Sequence, residues 1–167
     1  MREDDYLPPR RGNMRPTSWR LLVGIALVGG VVAYLVVEFA YGSLPLLPWT
    51  AIPTLSLLAI GELVTGVQTR RRIRRVPGTE PVEPLSAARL VALAKASALF
   101  GALVVGVFGG VALALTDMLD IPSPRTDAIT AAGTALAGGA LMGAALFLEY
   151  ACRVPGGGDE SDRPRGA

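Results

Sequence analysis

The stretch from Leu90 to Leu115 reads LVALAKASALFGALVVGVFGGVALAL, uncharged from end to end except for Lys95. A helix rising about 1.5 Å per residue needs roughly 20 such residues to cross a hydrocarbon layer of about 30 Å. Working outward from it, the spacing of charges predicts four spans, at residues 20–41, 46–68, 88–115 and 128–152. The expected fold is an all-α membrane protein, a four-transmembrane-helix bundle occupying residues 19–152, with both the N-terminus and the C-terminus in the cytoplasm. Residues 1–18 and 153–167 mix acids, bases, Gly and Pro and read as disordered cytoplasmic tails. Pro77, Pro81 and Pro84 make Val76 to Pro84 an extended connector between the second and third spans.

Composition agrees with that frame and removes many functions. Apolar residues make up 51% of the chain and charged ones 18%, outside the balance of a soluble domain. There is no histidine, so the commonest general base, the usual zinc and haem ligands and any His-based triad are missing. The single cysteine, Cys152, has no partner for an internal disulfide and reads as a reduced thiol. No HExxH, phosphate-binding glycine loop, GxSxG or paired-carboxylate metal motif occurs. The sequence therefore predicts no enzyme, no cofactor and no metal site. The net charge of +2 comes from arginines flanking the apolar spans rather than from a nucleic-acid module, so no nucleic acid is expected as a partner.

Orientation follows from the basic residues. Arg2, Arg10, Arg11, Arg15 and Arg20 precede the first span, and a basic loop of Arg70, Arg71, Arg72, Arg74 and Arg75, with Arg89 beyond it, separates the second from the third. The other two connections carry either no charge, at Gly42 to Leu47, or Asp117, Asp120 and Asp127 against a lone Arg125. Positive loops stay inside, which predicts a multi-pass protein of the cell membrane. Trp19, Tyr41 and Trp49 sit where amphipathic rings anchor helices at the interface. The first span also has the basic start and apolar centre of a signal peptide, but Glu38-Phe39-Ala40 is a poor cleavage site.

Small residues four apart let helices approach closely in lipid. On the third span Ala94, Ala98, Ala102, Gly106, Gly110 and Ala114 follow that spacing, and on the fourth Ala131, Ala135, Gly139 and Gly143 do so. The short connection between these spans makes them antiparallel neighbours, so the stripes are expected to pack on each other, or one of them to mediate self-association. The first span has a shorter version at Ala26, Gly30 and Tyr34.

Ionisable groups within spans are costly, on the order of 2.5 to 3.5 kcal/mol each, and are functional candidates for that reason. By helical rise Glu38 lies about 27 Å from Arg20, at the outer interface, whereas Glu62 lies about 12 Å inside Arg70, Lys95 about 9 Å inside Arg89 and Glu149 about 6 Å inside Arg153. Lys95, Glu62 and Glu149 thus form a candidate intramembrane charge cluster, in which either carboxylate or both could pair with the lysine. A snorkelling lysine is the structural alternative.

Pro16-Thr17-Ser18-Trp19, Tyr41-Gly42-Ser43-Leu44-Pro45, Arg70 to Arg75, Ala87-Ala88-Arg89 with Ala94-Lys95-Ala96-Ser97-Ala98, and Leu148 to Pro155 resemble an actinobacterial membrane family known as domain of unknown function 3180. The resemblance runs from about Pro16 to Pro155. It implies four helices and an unassigned activity, with a hint of folate biosynthesis from the genes that often lie beside such proteins, and it carries over no catalytic residue. Taken together, the sequence predicts a non-enzymatic helix-packing protein or complex subunit whose partners are the lipid bilayer and a homo-oligomer or membrane complex. The alternative is a small transporter or channel-like protein with an intramembrane Lys/Glu site for an unidentified small molecule.

Overall fold

A computed structural model describes residues 18–40, 48–73 and 84–152 of the chain. The expectations of disordered tails, but for Ser18, and of an extended connector from Val76 to Pro84 fall on residues outside these, as does Tyr41; Pro84 alone of that connector is described, and it is helical, the first residue of the third helix. Four helices run through the described residues: α1 Trp19–Ala40, α2 Ala51–Ile73, α3 Pro84–Ala114 and α4 Pro122–Ala151. Each is long and apolar enough to cross a membrane, and no strand occurs among the described residues.

The helix starts follow proline chemistry. Pro53 lies in the first turn of α2, and Pro122 and Pro124 in that of α4, where a missing N–H is no loss because those donors have no intrahelical partner. Ile121 before Pro122 is extended, at φ −96° and ψ 129°, as a residue preceding proline prefers. Because the helix begins at Pro122, Arg125 and Asp127 lie inside α4, not in the preceding connection, and Asp127 is buried. That connection is a single 3₁₀ turn, Thr116–Met118. Thr54, Ser56, Thr65 and Thr134 each donate to the carbonyl four residues back at 2.8 Å, so their hydroxyl protons are satisfied within their own helix.

The helices form a row in the order α1, α3, α4, α2, in which α1 packs on α3, α3 on α4 and α4 on α2. No comparable packing joins α1 to α2 among the described residues, so the row does not close into a ring of four. Gly106 and Gly110 of α3 meet Ala26 and Gly30 of α1, and Gly133 and Gly66 mark the contact of α4 and α2 with Ile52 and Phe147. Both pairs are therefore parallel. Ala94 packs with Leu148 and Cys152, and Leu115 with Ala128, which makes α3 and α4 antiparallel. Ten residues separate Ala40 from Ala51. Extended, they reach about 36 to 40 Å, enough for three interaxial spacings of about 8–10 Å.

The inner helices meet along a heptad-like seam. On α4, Ala131, Thr134, Gly138, Leu141, Ala145 and Leu148 are all buried, in alternating steps of three and four that average the 3.5-residue repeat of knobs-into-holes packing. The outer helices expose Leu27, Val28, Val31 and Phe39 of α1, and Ile60 and Val64 of α2, a surface suited to contact with lipid chains.

Candidate functional site

The arginines Arg20, Arg70, Arg71 and Arg89 gather at one end of the row, and Asp117 and Asp120 at the other. Glu62 stands halfway along α2, eleven residues from either end of Ala51–Ile73. It is 5% exposed. Both of its carboxylate oxygens are buried and neither accepts a hydrogen bond. A carboxylate away from water normally gathers donors, because leaving it unpaired costs far more than leaving a neutral group unpaired. The helix interior supplies none, since its backbone N–H groups are used in the α2 ladder.

Lys95 and Glu149 occupy touching helices at one level. Ala94 packs with Leu148, and the next residue on each strand of that contact is Lys95 on α3 and Glu149 on α4. Glu149 is 5% exposed and Lys95 is partly buried. Each is engaged with a partner group. Gly66 of α2 lies against Phe147 and Leu148, so Glu62, four residues earlier, stands about 6 Å further toward the acidic end. The three ionisable groups therefore occupy neighbouring turns. The groove that Glu62 lines also contains Leu93 and Leu148, with Thr54, Leu57, Leu58, Gly61 and Thr65 of α2, but not Lys95.

The small residues divide between three neighbours. Ala98 and Ala102 are fully buried against Ala145 of α4 and Leu22 of α1. Gly106 and Gly110 face α1, where an added Cβ would run into the carbonyl oxygens of Ala26 and Gly30. The hydrogens that stand in place of those Cβ atoms point at the same oxygens, as in a Cα–H···O contact. On α4, Gly139 has only Val105 in reach, at 3.8 Å from its Cβ position, and Gly143 has nothing within 4 Å. The close approach of α3 to α4 runs instead through Gly101 and Gly138. A Cβ on Gly101 would lie 2.8 Å from the Gly138 carbonyl oxygen, and one on Gly138 2.6 Å from Val104. Neither belongs to the four-residue stripes; Gly138 falls on the 3.5-residue repeat of buried positions on α4, and Gly101 is the α3 residue that meets it.

At the basic end the Arg70 guanidinium lies over the Tyr150 ring, 5.9 Å from its centroid, a cation–π contact between α2 and α4. Arg71 is exposed. The Arg72 side chain, Arg74 and Arg75 lie outside the described residues. Glu38 is exposed near the far end of α1. Cys152 is buried against Ala94 and Leu148 at the end of α4. No group of three His, Cys, Asp or Glu side chains able to hold a metal occurs among the described residues.

A family model described as protein of unknown function (DUF3180) matches residues 22–156, which take in α2, α3 and α4 and all but the first three residues of α1. No curated protein and no solved structure matches the chain.

Proposed function

The chain belongs to the DUF3180 family of proteins of unknown function, and on that premise we propose that it is a non-enzymatic, multi-pass protein of the cell membrane that acts by helix association, as a homo-oligomer or a subunit of a larger membrane complex. The observation that carries this reading is the open row. A closed bundle of four would turn its small residues inward, whereas here each end helix packs on one neighbour and both faces of the row stay available. Gly109 of α3 and Gly143 of α4 lie on those faces, in grooves walled by α1 and α4 and by α2 and α4, with open space where a Cβ would stand. Glycines that admit a neighbouring backbone and meet none within the protomer suit a contact with another helix. The arginines at one end and aspartates at the other support an orientation with both termini in the cytoplasm.

The test uses the same glycines. Gly109→Ile and Gly143→Ile add side chains into open space, so the melting temperature of the protomer should hold. Fluorescently labelled protein reconstituted at low density into liposomes should bleach in two or more steps for the wild type and in single steps for at least one variant. Wild-type protein that bleaches in single steps at every density would overturn self-association.

A further inference from the structure

We propose that Glu62 is the anionic anchor of a binding site for an organic ammonium, a protonated amine carried on an apolar body, in the groove between α2, α3 and α4. The inference stands apart from helix association and rests on the chemistry of the groove.

A buried carboxylate offers acceptors only, and both Glu62 oxygens are without a donor. The neighbouring polar groups do not help. Thr54 gives its proton to the Thr50 carbonyl and Thr65 gives its proton to the Gly61 carbonyl, each at 2.8 Å. Both hydroxyls therefore present lone pairs to the groove that they line with Glu62. Thr65 is one helical turn from Glu62, on the same side of α2. The site thus combines a carboxyl group that has no hydrogen-bond partner with hydroxyls whose protons are already given to the helix backbone.

That pattern selects the ligand. An anion meets a carboxylate, and a neutral acceptor meets more acceptors. A small inorganic cation needs a shell of oxygens to replace its water, and Leu57, Leu58, Leu93 and Leu148, which make up the other side chains of the wall, supply none. An ammonium group brings up to three donors and one positive charge, and an apolar body attached to it has leucine surface to cover. The groove volume of about 500 Å³ falls in the range of small-molecule sites. Gly61 leaves open space beside the groove; both Glu62 oxygens are covered in this structure, so binding requires the carboxylate to rotate into that space.

The test is binding of 2-phenylethylammonium to the full chain in phosphatidylcholine nanodiscs, followed by titration calorimetry, with 2-phenylethanol as the neutral control. Comparing wild type with Glu62→Gln cancels partitioning of the probe into lipid. The wild type should bind the ammonium at least about tenfold more tightly than Glu62→Gln, the scale of a charge-assisted hydrogen bond in a buried site. 2-Phenylethanol should not distinguish the two. Equal ammonium affinities, or a neutral probe that binds as well as the charged one, would overturn the proposal. Should Glu62→Gln fail to fold, a second variant decides the matter. Glu62→Asp, which keeps the charge on a shorter side chain, should then bind the ammonium in preference to 2-phenylethanol, as the wild type does. A wild type or Glu62→Asp variant that binds the neutral probe as tightly as the ammonium would again overturn it.

Discussion

The two outer helices are attached in opposite ways. Along α1 and α3 the contact is backbone to backbone, with Gly106 and Gly110 seated on the carbonyl groups of Ala26 and Gly30. Along α2 and α4 it is side chain to backbone, with Gly66 under the Phe147 ring and Gly133 under the tip of Ile52. The second seam holds a carboxylate with no hydrogen-bond partner. A backbone contact has one geometry, because neither carbonyl can swing aside, whereas a phenylalanine ring can turn within its rotamer wells. One edge of the row is therefore fixed in place and the other can adjust, and the adjustable edge is the one that carries Glu62.

The sharpest way to break this contrast is Gly110→Ala. Its Cβ would collide with the Gly30 carbonyl oxygen, and relief requires α1 and α3 to separate over several turns. The expected loss is about 3 kcal/mol, the upper part of the range for overpacking, with the lost Cα–H···O contact added. Reversible unfolding in mixed micelles, titrated with a denaturing detergent, measures it. A loss below about 1 kcal/mol would show the seam to be as yielding as its counterpart.

This asymmetry was only half legible in the residues. Four apolar spans and a small-residue ladder on α3 can be read directly, but the ladder does not serve one neighbour. Steps of four on a helix of 3.6 residues per turn advance about 40° each, so from Ala94 to Gly110 the stripe winds about 160° around α3. It begins against α4, where Ala94 meets Leu148, and ends against α1, where Gly110 meets Gly30. The same drift carries the α4 series from Ala131, which is fully buried, to Gly143, which is exposed. Spacing identifies which residues permit close approach, and the drift decides which helix they approach. Lys95, Glu62 and Glu149 could be placed in depth from their distances to the arginines. What depth could not give is rotation, which leaves Glu62 without a hydrogen-bond partner while Lys95 and Glu149 are each engaged.

The adjustable seam should answer the same substitution differently. In Gly66→Ala the new Cβ would lie 3.0 Å from Phe147 Cδ1 and 3.4 Å from the Leu148 Cα, tight contacts that a small turn of the ring relieves. Replacing glycine by alanine within a helix also gains roughly 1 kcal/mol of backbone propensity. The two effects oppose each other, and the net change should stay within about 1 kcal/mol of zero in the same micelle titration. A loss matching that of Gly110→Ala would remove the distinction between the seams.

The smallest effect is expected where the adjustable seam ends. Arg70 holds its guanidinium over Tyr150 at 5.9 Å, which ties the basic end of α2 to that of α4 beyond Gly66 and Phe147. Tyr150 is largely exposed, so the contact is solvated and worth about 0.5 to 1 kcal/mol. Tyr150→Leu keeps an apolar side chain in place and removes the ring face, which isolates the cation–π part from packing. It should lower stability by about 0.5 kcal/mol in the wild type and by nothing further once Arg70 is alanine, a coupling that a double-mutant cycle resolves. If the two changes add independently, the guanidinium does not hold α2 to α4, and the attachment of that edge rests on Gly66, Gly133 and the cluster of Leu55 and Ala59 with Leu141 and Ala144. That result would make the Glu62 side of the row freer still at its basic end.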